Sequence, residues 1–232
     1  PSFRIEGGTA TLIEKLVLEI GIQNIKTQTK ITTIKEENNH LNILDSSGNS
    51  YSADKVISTI PPNLLVNSVV FEPKLPENFT QLAKTTHTWM GESIKFAVEY
   101  KTPFWKQNHY SGTIFSQASI IQEMYDHSTA TNCGFALKGF LNVGTAVLSK
   151  EDRKEKAIAQ LTAFFGLEAT DYVAYYENVW REEPLTFQPY EQLVLAHQNN
   201  GHSLFKNPLL NEKLYVSGAE TATQSPGYMN GA

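Results

Sequence analysis

The apolar positions at the start of the chain predict an amphipathic helix followed by a small group of β-strands. Between Thr9 and Ile20 the apolar residues recur at helical spacing, with Thr9 as a suitable N-cap and Gly21 as the stop. Short strand-like runs follow at residues 30–35 and 41–44, and polar turn residues bound each of them. We expect these runs to form antiparallel hairpins.

Prolines mark the next two features of the pattern. A β-branched run at residues 55–60 ends at Pro61, because proline cannot continue a strand ladder, and the ends of strands are places where ligands often bind. Residues 71–76 contain two more prolines, which predicts an irregular connection. A domain boundary is expected just beyond it, near Lys84.

The clearest strand pattern lies at residues 91–100, where apolar and polar side chains alternate. This alternation places Lys95 on the face that is turned away from the core. Further strand patterns favour an antiparallel sheet over a parallel one, and they lie at residues 113–116, 119–125 and 135–143.

A second helix and two more strands are predicted in the last third of the chain. Residues 149–152 resemble a capping box, an apolar stripe follows, and Gly166 ends the helix. Residues 171–180 predict a strand. Residues 214–219 predict a buried strand that leads through a glycine-bearing loop to a helix beginning at Gly227.

Together these elements predict an α+β fold with an antiparallel or mixed sheet flanked by helices. The 232 residues are 41% hydrophobic and 19% charged, which is typical of a globular protein with a buried core. A net charge of −5 offers no cationic surface to a phosphate backbone, so nucleic acid is excluded as a partner. Because no apolar run approaches the roughly 20 residues needed to cross a bilayer, we expect no membrane span and a cytoplasmic location.

Several common catalytic motifs are missing from the sequence. It contains no GxxxxGKS or GxxxxGKT phosphate loop, no GxSxG nucleophile elbow and no HExxH metal pair. His197 and His202 are five residues apart, a spacing that would not place both rings on one face of a helix. The single cysteine, Cys133, cannot form an intramolecular disulfide or a multi-cysteine site. We therefore predict that no metal is bound.

Five ordered blocks of the sequence resemble the flavin-containing amine oxidases, the monoamine oxidase family. The most specific block is a strand with Lys95 that is followed by Pro103, Phe104 and Trp105. The other blocks lie at residues 56–62, 71–76, 180–184 and 218–232. The resemblance covers nearly the whole chain, but only the C-terminal half of the family's fold.

The resemblance implies a discontinuous FAD-binding domain, formed by residues 1–84 and 189–232, that brackets a substrate-binding domain at residues 85–188. In the family the glycine-rich phosphate loop lies in the N-terminal half of the fold, and this sequence has no such loop. The chain opens at Pro1 and closes at Ala232, in what reads as the first turn of a helix. We therefore expect a longer protein whose N-terminal half is the partner of this chain in binding FAD, and we do not expect this chain to bind FAD by itself.

Four positions match residues that surround the substrate in the family. Lys95 falls on the lysine that reaches flavin N5 through a water, where a cation helps reoxidation by oxygen. Tyr190 and Tyr228 fall on the two tyrosines that flank the amine, and an aromatic slot suits an amine that passes between charged and neutral forms. Tyr125 falls on a substrate-entrance position. Without the resemblance, these residues would read as a solvent-facing lysine and as ordinary core or surface tyrosines.

Five more positions match cofactor contacts in the family. Glu220 and Met229 fall on flavin-contacting positions, and a helix opening at Gly227 would aim free backbone N–H groups at the flavin. Ile31 falls on a backbone contact at the adenine side, and Trp180 on an aromatic residue that packs near the flavin. The last two would otherwise be ordinary core residues.

The implied cofactor is noncovalent FAD, because Pro189 stands where animal monoamine oxidases carry the cysteine that attaches it. The implied reaction oxidises a small-molecule amine to an imine, with oxygen leaving as hydrogen peroxide. Two alternatives stay open: another oxidase or desaturase of the same flavoprotein superfamily, and a non-catalytic relative that acts as a binding module. The tyrosines at 190 and 228 favour an amine. An uncovered flavin-facing surface would also favour a homodimer.

Overall fold

The computed structural model describes residues 5–131 and 133–229. Its α-helices are α1 Ala10–Ile20, α2 Pro62–Ser68, α3 Glu77–Lys84, α4 Phe104–Gln107 and α5 Lys150–Phe165. The strands are β1 Ile31–Glu37, β2 His40–Asp45, β3 Ser50–Ala53, β4 Val56–Ser58, β5 Val70–Glu72, β6 Ile94–Tyr100, β7 Ile114–Phe115, β8 Ile121–Asp126, β9 Phe135–Leu141, β10 Tyr172–Val179 and β11 Leu214–Val216.

The first helix forms where the apolar spacing predicted it. Gly21 ends it with a φ of 83°, a conformation that glycine adopts without strain, and the Gly21 N–H donates to the Val17 carbonyl. Thr9 precedes the helix, although its side chain makes no capping hydrogen bond. None of the residues of α1 is buried, so its apolar stripe lies uncovered.

The first sheet has the strand order β3-β2-β1-β5. The hairpins predicted at its start are confirmed, since β1 pairs with β2 and β2 with β3 in antiparallel fashion. The prediction of an irregular connection at residues 71–76 is wrong at its beginning, because Phe71 lies in β5, which pairs in parallel with β1. Pro73 and Pro76 follow this short strand and do not interrupt its ladder.

A separate two-stranded sheet joins distant parts of the chain. Strands β4 and β11 pair in parallel, with Val56 opposite Leu214, and the Ser217 N–H donates to the Ser58 carbonyl. Both strands were predicted, and both are shorter than expected. Residues from β1, α3 and β11 share one hydrophobic core, so the end of the chain packs against its beginning.

The second sheet has the order β10-β6-β9-β8-β7 and is antiparallel throughout. One of its faces is buried under α5, and this core contains Ile94, Phe96, Val98, Met124, Leu137, Leu141, Ala157, Leu161 and Phe165. Residues of β6 alternate between buried and more exposed positions, as the sequence predicted. The opposite face of this sheet, which carries Lys95, we call the open face.

Helix α5 is fixed at both ends by the predicted signals. The Asp152 N–H donates to Ser149 Oγ, and the Ser149 hydroxyl donates back to the Asp152 carboxylate. Gly166 ends the helix with a φ of 95°. The buried guanidinium of Arg153 forms an ion pair with Glu177 of β10, which ties the helix to the sheet.

The helix predicted to begin at Gly227 is not seen through residue 229, and residues 230–232 lie outside the described part of the chain. Gly227 lies in a turn with a φ of 85°, and Ser225 has a φ of 48°, so neither has a right-handed helical backbone. The Gly227 N–H donates to the Ala219 carbonyl at 2.8 Å. This amide is therefore already bonded, contrary to the expectation that it would be free for a ligand.

The described residues contain neither a membrane-spanning helix nor a metal-binding cluster. No helix in residues 5–131 or 133–229 has the length and apolar character that crossing a bilayer requires. The same part of the chain contains no group of three or more His, Cys, Asp or Glu side chains arranged to hold a metal ion.

Candidate functional site

The open face of the second sheet presents a row of side chains across its strands. Lys95 on β6 lies opposite Asn178 on one side and Phe140 on the other. The row continues from Phe140 to Glu123 on β8 and then to Phe115 on β7. Because directly paired residues of antiparallel strands point to the same face, these five side chains share one surface.

Lys95 carries its ammonium group over aromatic rings. Its Nζ lies 5.5 Å from the ring centroid of Trp180 and 5.8 Å from that of Phe140. Much of the side chain is exposed, yet burial of the ammonium lowers the pKa of Lys95, and the nearby charge of Lys138 lowers it further. The site therefore holds a partly desolvated cation whose proton leaves more easily than that of an ordinary lysine.

Tyr125 lies on the same open face, two residues beyond Glu123 along β8. It is opposite Lys138, and its ring meets the exposed ring of Phe115 edge to face at 5.7 Å. A hydrogen bond to Glu123 raises the pKa of the Tyr125 hydroxyl. The position fits an entrance to the open face, and the role of Tyr125 in substrate entry stays a prediction.

Trp180 is the first residue after β10, at the edge of the open face. Its N–H donates to the Ser93 carbonyl at 3.1 Å, which fixes the backbone beside β6. The indole Nε1 is buried and has no hydrogen-bond partner within the described part of the chain. Trp180 is thus held against Lys95 by its backbone and by the cation–π contact.

Tyr190 is held by its hydroxyl and its ring, and the backbone just before it is also anchored. The Tyr190 hydroxyl accepts a hydrogen bond from the Thr88 N–H at 2.7 Å, and its ring meets Phe187 edge to face at 5.7 Å. The buried amide of Asn63 donates to the Gln188 carbonyl at 2.8 Å, two residues before Tyr190. These contacts define the position of the ring closely.

Tyr228 and Glu220 both contact the residue that follows Thr88. Tyr228 is 58% exposed, and its ring centroid lies 5.9 Å from that of Trp89. Glu220 is buried, and its Oε1 accepts a hydrogen bond from the Trp89 N–H at 3.1 Å. A Cβ added at Gly227 would lie 2.8 Å from the Trp89 ring, so this close approach requires glycine.

The segment at Thr88 and Trp89 runs directly into β6. The Gly91 N–H donates to the Thr88 carbonyl and the Ser93 N–H to the Met90 carbonyl, which forms a tight turn before the strand. Lys95 is the second residue of that strand. The predicted site residues Tyr190, Glu220, Gly227 and Tyr228 therefore meet this connection at Thr88 and Trp89. Trp180 meets Lys95 on the strand into which the connection leads.

Two further predicted site residues, Ile31 and Met229, take part in none of the contacts described above. Ile31 is half-buried at the start of β1, opposite Asp45, and packs against the core of the first sheet. Met229 is exposed in the turn after Tyr228. Their assignment as cofactor contacts stays a prediction.

Comparison with known proteins identifies the family. The model for flavin containing amine oxidoreductases matches residues 1–232. The chain belongs to this family. Amine oxidase [flavin-containing] B of Homo sapiens is 29% identical over 238 residues, which cover 97% of this chain and 44% of the human protein. A probable flavin-containing monoamine oxidase A of Dictyostelium discoideum is 26% identical, over 99% of this chain and 50% of that protein.

A solved structure of an amine oxidase has the same fold. Wild-type putrescine oxidase with bound putrescine superposes with a TM-score of 0.83 at 26% sequence identity. The alignment covers 98% of this chain and 51% of the putrescine oxidase chain. This chain therefore spans about half the length of the amine oxidases that it matches.

The arrangement fits the ring system of a flavin better than its nucleotide part. Three buried polar atoms near the connection have no hydrogen-bond partner among the described residues, namely His87 Nδ1, Thr88 Oγ1 and Trp180 Nε1. Burial lowers the pKa of His87, which favours its neutral form. Such atoms suit the edge of a polar ligand. A glycine-rich phosphate loop between a strand and a helix is not found in residues 5–131 or 133–229.

Sequence reasoning missed Thr88, Trp89, His197 and Asn63 as parts of this candidate site. One signal was present, because Trp89 is a large aromatic residue in a polar connection directly before the strand of Lys95. The other contacts gave no local signal. Thr88 acts through its backbone N–H, and its partner is 102 residues away in the sequence.

Proposed function

We propose that this chain supplies the substrate side of an FAD-dependent amine oxidase, which converts an amine to an imine and reduces oxygen to hydrogen peroxide. The observation that carries the proposal is the convergence of Tyr190, Tyr228 and Glu220 on the connection that leads to Lys95. Membership of the amine oxidoreductase family supports it independently. The amine loses two electrons and two protons, and bound FAD supplies the chemistry that passes them to oxygen.

The tyrosines provide the surface that receives the amine. Tyr190 is held rigidly through its hydroxyl, whereas Tyr228 presents an exposed ring beside Trp89. Electron-rich rings stabilise an ammonium ion and also pack against the neutral amine that must form before oxidation. We assign these two residues to orienting the substrate.

Lys95 provides a fixed positive charge at the same site. Trp180 and Phe140 shield its ammonium group, which strengthens its electrostatic effect on charge that develops nearby. In this proposal Lys95 holds a water and stabilises negative charge during the reduction of oxygen. We further propose that a cationic substrate approaches over the open face, where Glu123 and Tyr125 offer a carboxylate and an aromatic ring.

The proposed cofactor is noncovalent FAD, because Pro189 offers no thiol next to Tyr190. We further propose the domain division at residues 1–84, 85–188 and 189–232. Its support is that the core of the first sheet combines residues from the first and last of these segments, whereas the core of the second sheet lies within the middle one. The phosphate loop would come from the half of the family's fold that this chain does not span.

The decisive experiment is a visible spectrum of the protein expressed from its whole reading frame and purified without added cofactor. Absorption bands at about 370 and 450 nm, together with release of the flavin on acid precipitation, would support noncovalent FAD. An amine screen with peroxide readout then follows. A colourless protein that takes up no added FAD would instead favour the non-catalytic binding module.

Aromatic variants test whether the site recognises amines. We expect Tyr190→Leu combined with Tyr228→Leu to lower kcat/KM at least about fivefold, because each ring contributes roughly 0.5–2 kcal/mol to binding a cation. Tyr110→Leu, an exposed tyrosine that packs beside α5, is the matched control and should retain activity. Full amine turnover in the double variant would contradict the proposed role and favour another oxidase of the superfamily.

A further inference from the structure

We propose that the indole of Trp89 is a positioning group that sets the geometry of Tyr228 at the candidate amine site. The inference rests on the proposed function. It adds a residue outside the predicted site, and it explains how the segment after β11 is aligned with the strand of Lys95.

Two consecutive backbone amides, those of Thr88 and Trp89, bond to distant segments of the chain. The Thr88 N–H donates to the Tyr190 hydroxyl and the Trp89 N–H donates to Glu220 Oε1, at 2.7 and 3.1 Å. Their partners are 102 and 131 residues away along the chain. Two donors on adjacent residues therefore fix two distant segments in one register.

The indole ring of Trp89 packs against two further segments of the chain. It lies 4.3 Å from the His197 ring and 5.9 Å from the Tyr228 ring, measured between centroids. It also lies against Gly227, where a Cβ would come within 2.8 Å of the indole. Trp89 thus fills the space between the loop at His197 and the turn that carries Tyr228.

The loop behind the indole is itself tied down. The His87 N–H donates to the Gln198 carbonyl at 3.0 Å, and the Asn199 side chain donates to Thr85 Oγ1 at 2.9 Å. His197 has a φ of 64°, a backbone conformation that persists only where surrounding contacts hold it. The indole therefore rests on a fixed surface and transfers that position to Tyr228.

Tyr228 has few other restraints. Its side chain is largely exposed, and Trp89 is its only aromatic neighbour within the described residues. Removal of the indole would leave the two backbone hydrogen bonds in place and release the turn at Gly227. Misplacement of a catalytic contact by about 1 Å can reduce turnover about 100-fold. Loss of the indole should therefore lower kcat more than it changes KM.

The first test uses Trp89→Leu and Trp89→Phe in the full holoenzyme. We expect Trp89→Leu to lower kcat about 10- to 100-fold with a smaller change in KM and with flavin content unchanged. Trp89→Phe keeps an aromatic contact and should recover kcat to within about threefold of the wild type. Equal loss in both variants, or a loss of kcat that follows loss of flavin, would overturn the proposal.

The second test does not depend on activity. Amide hydrogen exchange of residues 219–229 should become at least about tenfold faster in Trp89→Leu, because the Gly227 N–H is bonded to the Ala219 carbonyl and opens with the turn. Exchange elsewhere, such as in β6, should not change. Unaltered exchange at Gly227 would refute the positioning role even if the protein proved to oxidise no amine, so the two proposals fail separately.

A double-mutant cycle provides the sharpest discrimination. Gly227→Ala introduces a Cβ against the indole and strains a backbone with a φ of 85°. In the Trp89→Leu background the contact is relieved. The factor by which Gly227→Ala lowers kcat should therefore be at least about threefold smaller in that background than in the wild type. Additive effects of the two substitutions would contradict a direct contact between these residues.

Discussion

Lys95 carries its charge over two aromatic rings rather than in open solvent. The chemistry expected of it depends on that placement, because a shielded cation acts on nearby negative charge more strongly than a hydrated one. The same burial lowers the pKa of its ammonium group, and the charge of Lys138 lowers it further. A lysine that supports oxygen reduction through its charge should therefore impose a pH limit on that step.

We expect kcat/KM for oxygen to fall as pH rises through the lowered pKa of Lys95, since the neutral amine no longer stabilises negative charge. Lys95→Met should reduce the oxygen-dependent step and abolish this alkaline limb. Lys138→Met is the matched variant: removal of its repulsion should raise the pKa of Lys95 and move the limb to higher pH. Oxygen consumption measured against pH tests both, and an unchanged limb in Lys95→Met would rule out this assignment.

The Tyr190 hydroxyl has a structural role that can be separated from that of its ring. Tyr190→Phe leaves the buried Thr88 N–H without its acceptor, which should lower the free energy of unfolding by about 1–3 kcal/mol. Tyr228→Phe removes a hydroxyl from an exposed side chain and should change it by less than about 0.5 kcal/mol. Urea denaturation of the two variants measures the difference, and equal values would show that the Thr88 contact is not important for stability.

At the scale of elements, one buried ion pair joins α5 to the second sheet. Arg153 Nε and Nη2 donate to Glu177 Oε1 at 2.9 and 2.7 Å, and the Tyr175 hydroxyl donates to Glu177 Oε2 at 2.7 Å. The Arg153 guanidinium also donates to carbonyl groups in the connection before α5. The carboxylate and guanidinium thus have several partners each, which a buried pair needs.

We expect Arg153→Met to lower the free energy of unfolding by about 3–5 kcal/mol, because it leaves the Glu177 carboxylate buried without its counter-charge. Arg181→Met breaks an exposed pair with Glu92 and should cost about 0–1 kcal/mol. Urea denaturation of both variants provides the comparison. Similar losses would mean that water reaches Glu177 and that the pair contributes no more than a surface contact.

The turn between β2 and β3 makes a prediction about acid stability. Hydrogen bonds lower the pKa of Asp45 to about 2, the largest effect coming from the Asn49 side chain. An aspartate with a depressed pKa stabilises the folded state above the unfolded value of roughly 3.9, and this contribution is lost as pH falls towards about 2. In Asp45→Asn the free energy of unfolding should therefore fall much less between these pH values than it does in the wild type. Asp54→Asn, an exposed control that directly follows β3, should retain the decline.

The elements that the sequence predicted are those with local signals. Helices α1 and α5 have an apolar stripe and a terminal glycine, and β6 has alternation, so neighbouring residues decide them. Strand β5 was missed because its parallel pairing with β1 depends on residues far away in the sequence. The same reason hides Trp89, since its partners Glu220 and Tyr228 are over 100 positions distant. Resemblance to a family supplied the site residues where local pattern could not.

At the scale of the molecule, α1 presents an apolar stripe without a cover in the described structure. Ile13, Leu16 and Ile20 are 53%, 48% and 53% exposed, and none of the eleven residues of the helix is buried. Apolar side chains at helical spacing on one stripe are expected to pack against another element. The chain also spans about half the length of its relatives and has no phosphate loop in its described residues. We therefore expect the remaining half of the family's fold to cover α1 and to supply the nucleotide site.

This chain expressed by itself should be colourless. Coexpression with an N-terminal half that carries a phosphate loop should restore a flavin absorption band at about 450 nm. Ile13→Glu with Leu16→Glu should weaken that recovery, because burying two unpaired carboxylates opposes association. Val147→Glu, at a position 88% exposed outside the stripe, is the matched control and should not affect recovery. The stripe should also make the isolated chain self-associate, and sedimentation should show less dimer in the α1 double variant. Full flavin recovery and unchanged self-association in that variant would show that the stripe is not the surface where the two halves meet.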